Sequence, residues 1–284
     1  LRIAVRQQQS SLNCHFLISL RNTQLQQALW RMACGLRGCQ ALNVKGEIMK
    51  YLAVLVNCIV LLGTGVRADD WKFETGFDYF TEYIFRGVDV SKNQPLYEPH
   101  LIAGYKGVTF TYIGYYSYYK QPDHPWYVEN DLSLDYSKTL GKFTATAGAL
   151  WYVYDAKSGA DTWDLYGVLA YDFPLLNPKL TINWDVDKFR TGYGTASISH
   201  PFNLTKSFTI TPSAALGIDF GYNSRAAQSN ADFNDLLLGL TANLQLNKHL
   251  SVHAGVQFSV ALNSLRDIGQ GNETIGNIGL TLTF

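Results

Sequence analysis

The sequence predicts an all-β fold, a transmembrane antiparallel up-and-down β-barrel of about 12 strands. Three observations predict it: aromatic and aliphatic residues that fall on every second position, a secretory leader ahead of them, and connections that alternate between brief and longer polar ones. In a strand, neighbouring side chains face opposite ways, so such alternation gives each strand one apolar and one polar face. In lipid every backbone polar group needs an internal partner, and a sheet meets that demand by closing on itself.

The leader comes first along the chain. Met49 opens MKYLAVLVNCIVLLGTGVRADD, with basic Lys50, an apolar core from Tyr51 to Leu62, and Val66-Arg67-Ala68 before Asp69. This reads as a signal peptide over 49–68, cleaved between Ala68 and Asp69. Its apolar core is too short for an ordinary spanning helix. Composition shifts at the same point. Residues 1–68 hold all four cysteines, both methionines and a single acidic residue, Glu47. Residues 69–284 carry 15 basic and 22 acidic side chains, a net of −7, with no cysteine and hence no disulfide framework. Residues 1–48 read as an upstream extension that is not part of the mature protein, and 69–284 as the barrel domain.

The first strand, W-K-F-E-T-G-F-D-Y-F-T-E-Y-I-F over 71–85, puts Trp71, Phe73, Phe77, Tyr79, Tyr83 and Phe85 on one face, with Lys72, Glu74, Asp78 and Glu82 on the other. The pattern continues over roughly 97–105, 108–120, 127–138, 143–154, 162–173, 180–187, 193–201, 208–222, 233–246, 250–260 and 274–284. Residues 193–201 are weakly patterned, and Pro212 removes a ladder donor, which points to a bulge there. Brief connections such as Lys106-Gly107 and Asn247–His249 alternate with longer ones such as 87–96 and 223–232. Both termini then lie on the periplasmic side. Trp71, Tyr136, Phe143 and Phe173 fall near the short-turn ends, and Tyr83, Phe85, Trp151, Trp163 and Trp184 near the others, as two aromatic girdles facing outer-membrane lipid. The last strand alternates Ile278, Leu280, Leu282 and Phe284. A terminal Phe on such a strand is the pattern read by the barrel-assembly machinery, which is expected as a transient partner.

The other face lines the lumen. The candidates are Lys72, Glu74, Asp78, Glu82, Arg86, Glu98, Glu129, Asp131, Asp135, Asp164, Asp185 and Asp219. Carboxylates dominate, and a pore lined by one sign of charge concentrates the opposite ion. The loops are short, which argues against a large inward plug, although inward tyrosines such as Tyr115, Tyr152 and Tyr166 could narrow the path.

No catalytic residue, cofactor or metal is expected. Ser199 and His200 are sequence neighbours and face opposite sides of a strand, so they cannot share a proton. The histidines scatter, and no G-x-S-x-G, HExxH or Walker pattern occurs. A nucleic-acid partner is not expected either.

One stretch stands apart: EYIFRGVDVSKNQP, 82–95. Parity points Arg86 into the lumen toward Glu82 and Glu98, and Tyr83 and Phe85 toward lipid. Gly87 permits a turn, and Pro95 stiffens the return. At Tyr83, Arg86, Gly87, Ser91 and Pro95 the chain resembles the TorF family of proteobacterial porins. That resemblance implies an outer-membrane barrel with a pore and supplies no catalytic residues. The expected function is passive diffusion of small hydrophilic solutes through a polar, acid-rich lumen. The alternatives are a non-conducting barrel acting as anchor, adhesin or receptor, and an outer-membrane lipid hydrolase.

Overall fold

The structure, a computed structural model, describes residues 71–117, 127–154, 161–224 and 231–284. The signal peptide, its cleavage site at Ala68 and Asp69, and the extension 1–48 lie outside the described residues. Twelve long strands alternate in direction: β1 (Trp71–Phe80), β4 (Leu96–Tyr105), β5 (Val108–Ser117), β6 (Tyr127–Leu140), β7 (Phe143–Tyr154), β8 (Thr162–Tyr171), β9 (Lys179–Asp185), β10 (Gly192–Ser199), β12 (Phe208–Asp219), β13 (Asp232–Gln245), β14 (Leu250–Ala261) and β15 (Glu273–Thr283). Two-residue strands β2 (Ile84–Phe85) and β3 (Val88–Asp89) form a separate hairpin, β11 (Phe202–Asn203) flanks β12, and a short helix, α1 (Asn263–Asp267), lies in the last long connection. Each long strand pairs with its sequence neighbour, and β1 pairs with β15, so the sheet closes into a barrel with no free edge.

The alternation explains the two faces. On β6, Leu134 and Tyr136 are exposed outward, while Asp131 and Ser133 line the interior. On β8, Trp163, Leu165 and Leu169 face out, and Tyr166 and Val168 face in; on β9, Leu180, Ile182 and Trp184 face out, and Thr181 and Asn183 face in. A closed sheet whose outer band is Leu, Ile, Phe and Trp is stable against hydrocarbon, not water. The girdle rings also pair across strands: Trp71 stacks on Tyr105 at 4.8 Å, and Trp151 on Trp163 at 5.1 Å. Phe284 closes the seam beside β1, its N–H donating to the Phe73 carbonyl at 2.9 Å, and Leu280 pairs with Phe77 and Leu282 with Thr75.

The tight turns follow from glycine. Lys106 and Gly107 both have positive φ, 49° and 89°, the two-residue geometry that matches the twist of a hairpin. Pro212 causes no bulge. Its carbonyl accepts from His200 N–H at 3.2 Å, so its absent N–H would point to that same side, where Pro201 separates β10 from β11. The register shift in β12 lies instead between Leu216 and Ile218.

β1 stops at Phe80, five residues before the end of the alternating run. At Thr81 the chain bends. The Thr81 N–H donates to the Gly276 carbonyl, and its Oγ1 accepts from Gly276 N–H, both at 2.9 Å. Beyond this bend the parity of β1 no longer applies. Tyr83 is 7% exposed, and Phe85 lines the interior, so neither faces lipid.

Candidate functional site

After the bend, the chain folds into the barrel mouth as the β2–β3 hairpin. Its turn is Arg86-Gly87, with φ of 49° and 81°. Both central residues have positive φ, as a type I′ turn requires; glycine adopts this freely and arginine only at a cost. A Cβ on Gly87 would also collide with Leu265 of α1 and with the Asn234 amide, so that position must be bare.

Several residues of the EYIFRGVDVSKNQP stretch hold this hairpin. Tyr83 stacks on Tyr115 at 4.6 Å and joins a buried apolar cluster with Leu96 and Tyr127. Its N–H donates to Ser91 Oγ at 2.8 Å, and Val90 N–H donates to the Tyr83 carbonyl at 2.9 Å, which ties the neck. Ser91 is fully buried and donates to Asp89 Oδ1 at 3.2 Å. Asp89 Oδ2 in turn accepts from the Asn93 N–H at 2.8 Å. Pro95 leads straight into Leu96, the first residue of β4.

Arg86 reaches across the lumen. Its guanidinium forms an ion pair with Asp164 of β8, and Nη2 also donates to Tyr152 Oη at 3.2 Å. Tyr152 donates to Asp164 Oδ2 at 3.1 Å, closing a triangle. The guanidinium lies over the Tyr222 ring at 4.0 Å, a cation–π geometry. The Arg86 carbonyl accepts from the side-chain amides of Asn223 and Asn234, each at 2.9 Å. The pair is almost wholly buried, with side-chain exposures of 6% and 0%. The partner of Arg86 is Asp164, neither Glu82 nor Glu98.

Below the hairpin tip lies a cavity of about 540 Å³. Arg86, Phe85, Tyr152 and Tyr193 form one end, and Thr111, Ser133, Val168, Lys179 and Thr181 the wall toward the short-turn side. The expectation of an unplugged lumen is thus corrected: the loops are short, yet the first one and α1 fold inward. Leu265 and Ser264 of α1 are completely buried.

The remaining lumen candidates divide by what holds them. Asp131 lines the cavity. Asp135 accepts from Tyr166 Oη at 2.7 Å. Glu129 accepts from Tyr127 Oη and is buried among tyrosines. Asp185 and Asp219 are fully buried and do not border the cavity. Asp185 Oδ1 accepts from the N–H groups of Asp187, Phe189 and Arg190 at 2.9–3.2 Å, and Asp219 from those of Gly221, Tyr222, Asn223 and Ser224 at 2.6–3.2 Å. These two carboxylates order the loops after β9 and β12. Lys72 is exposed, Glu74 half-buried, and Asp78 buried near Glu98, His100 and His253. Glu82 sits in the bend outside the spanning strands. Burial, and then the charges of Glu273 and Asp89, push its carboxyl up to about 7.

Asp235 and Tyr193 were not on the expected site; Tyr193 Oη donates to Asp235 Oδ1 at 2.7 Å beneath the hairpin. The parity of DLLLGLTANLQL does place Asp235 inward, but Tyr193 sits in the weakly patterned strand.

The fold is that of an outer-membrane barrel. No family model matches the chain, and no curated protein sequence does. Among solved structures, it is similar to the KdgM porin, with a TM-score of 0.52 and 10% identity over 74% of this chain and 99% of that one. It is also similar to the NanC porin, at a TM-score of 0.49 and 12% identity over 75% and 98% of the two chains. Outer membrane phospholipase A from Escherichia coli aligns at 0.43 and 12% identity, over 74% of this chain and 92% of that one. At these identities the likeness concerns the fold.

Proposed function

We propose that the protein is a porin-like channel for small hydrophilic solutes, and that the β2–β3 hairpin forms its constriction. The observation that carries this reading is the cavity of about 540 Å³ inside a closed membrane barrel, roofed by Arg86. The Tyr-Arg-Gly-Ser-Pro motif, whose residues build that roof, supports membership of the TorF-type porins. KdgM, a porin whose fold this chain shares, has been seen in complex with oligogalacturonate. Glu74, Asp78, Glu98 and Asp135 are carboxylates of the inner wall, with Lys72 on the same face of β1 as the first two; Asp131 and Asp235 border the cavity itself, where the cations are Lys179 and the already paired Arg86. We therefore read the pathway as favouring neutral solutes and cations over anions.

A lipid hydrolase needs a serine next to a histidine on the outer wall. His249 instead bonds the Thr283 carbonyl at 2.7 Å, His253 faces Asp78, and His200 packs edge-on against Phe202. This favours a non-enzymatic role. The deciding measurement is the reversal potential of single channels in a salt gradient, together with their conductance. Cation preference is expected. Clear anion selectivity would refute the acid-rich pathway, and absence of any channel current would favour a non-conducting anchor or receptor.

A further inference from the structure

We infer that the inner wall carries a binding site for one divalent transition-metal ion, built from Asp78, Glu98 and His100 and braced by His253. They come from three strands, Asp78 from β1, Glu98 and His100 from β4 and His253 from β14, and barrel closure brings His253 to the other three. Asp78 and Glu98 are direct cross-strand partners on β1 and β4; His100 stands opposite Gly76, and His253 opposite Gly279, which itself pairs with Asp78.

Two bare glycines make the convergence possible. His253 and Asp78 are two strands apart, a gap of ~9.6 Å at the usual strand spacing. Their side chains meet at 2.5 Å over Gly279, where a Cβ would strike both. A Cβ on Gly76 would likewise fall on the His100 ring. The inner wall at this level is thus hollowed to let imidazoles and carboxylates face one another.

The geometry suits an ion better than it suits the bare groups. One ligand atom from each of Asp78, Glu98 and His100 lies within 4.8 Å of the others. His100 Nδ1 is 3.7 Å from Asp78 Oδ2, too far for a hydrogen bond. That separation is close to the ~3.4 Å edge of a tetrahedron with arms of ~2.1 Å, the usual length of zinc–nitrogen and zinc–oxygen bonds. Asp78 Oδ1 is already engaged by His253, which fixes the carboxylate and leaves Oδ2 toward His100. This is the role of an outer partner that orients a ligand. Glu74 lies 3.9 Å from His100 Nε2 and completes the cluster.

Electrostatics point the same way. Like charges directly opposite on paired strands repel. Asp78 and Glu98 are such a pair, and among the described residues no lysine or arginine lies within ion-pair distance of either. The groups at ion-pair distance from Asp78 are the imidazoles of His100 and His253, and a divalent cation held by their neutral forms would supply the positive charge in their place. Mixed imidazole and carboxylate donors select borderline ions such as zinc, cobalt or nickel over magnesium and calcium, which take oxygen alone.

The test uses tag-free protein purified from outer membranes in detergent micelles, titrated calorimetrically with zinc alone. One ion per barrel is expected. His100→Ala and Glu98→Gln should each weaken binding more than His253→Ala, whose loss of an orienting partner should cost about 10- to 100-fold. Heat-modifiable electrophoretic mobility reports whether each variant is folded. For any variant that is not, cobalt replaces zinc in the wild-type protein, where visible bands competed away by zinc are the expected result. Absence of saturable zinc uptake and of cobalt bands overturns the proposal. So does stoichiometric binding that survives in folded His100→Ala and Glu98→Gln, because the ion would then sit elsewhere. Proton uptake or release without metal binding would show that the cluster only shares protons, and would equally overturn it.

Discussion

Asp164→Asn is the most informative single change, because it alters one charge and almost no volume. In the native protein Arg86 and Asp164 are 6% and 0% exposed, and they face each other across the lumen. Neutralising the aspartate strands a buried guanidinium, for which the usual cost is about 3–5 kcal/mol. The Tyr222 face lies over the guanidinium at 4.0 Å with or without the aspartate charge, so its contribution cancels and the penalty stays about 3–5 kcal/mol. The barrel ladder need not unfold to escape it, since the hairpin can swing out and return Arg86 to water. At 1.4 kcal/mol per factor of ten, the ratio of docked to undocked hairpin should fall by roughly two to three powers of ten. Single-channel recording in planar bilayers reads this directly, as more frequent or longer visits to a higher-conductance state. Arg86→Gln combined with Asp164→Asn removes both charges and should be less perturbed than Asp164→Asn alone, the signature of a coupled pair. Identical conductance, dwell times and selectivity in wild type and Asp164→Asn would refute the reasoning, for the hairpin would then not be the constriction.

Other outcomes follow from the same geometry. Glu82 titrates near 7 in the folded protein, above its ordinary value of 4.5, so the folded state binds the proton more tightly. Its contribution to hairpin docking is full below about 4.5 and is lost as pH rises through about 7; Glu82→Gln should flatten the pH dependence of channel substates across that window, and an unchanged profile would remove Glu82 from the cause. Ser91→Ala leaves the Tyr83 N–H buried without its acceptor, at a cost of about 1–3 kcal/mol, which limited proteolysis of the hairpin should reveal as faster cleavage while the barrel stays resistant. Leu134→Arg places a charge on the lipid face of β6 and should destabilise the barrel by about 2–4 kcal/mol if that site is near the bilayer midplane, measured as denaturant midpoint in vesicles. A wild-type midpoint for that variant would contradict the assignment of the outer face.

Local chemistry made much of this protein legible. The alternation of β7 and β14 reads their spans to within a residue, because one face of each must meet lipid and the other the lumen, and a period of two admits no other assignment. The Lys106-Gly107 turn and the outward Leu280 and Ile278 followed for the same reason. Arg86 was singled out from a parity that ends at Phe80, and it is the bend at Thr81, not that parity, that sets where its side chain goes. The signal at 84–89 was also present: apolar residues either side of a residue–glycine pair, the pattern of a two-residue hairpin. It was obscured because the aromatic run continues unbroken through the bend at Thr81.

What the tertiary structure alone decided is who meets whom across the lumen. Arg86 and Asp164 are 78 positions apart, and His253 and Asp78 are 175 apart. No local pattern encodes such distances, since they depend on strand stagger and closure of β1 against β15. The glycines show the same division. Gly76 and Gly279 look in sequence like weak points of their strands. In the closed barrel they are the gaps through which side chains from neighbouring strands reach each other. Period and polarity determined the barrel and its two faces; closure determined which inward groups became a loop anchor, an ion pair or a cluster of ligands.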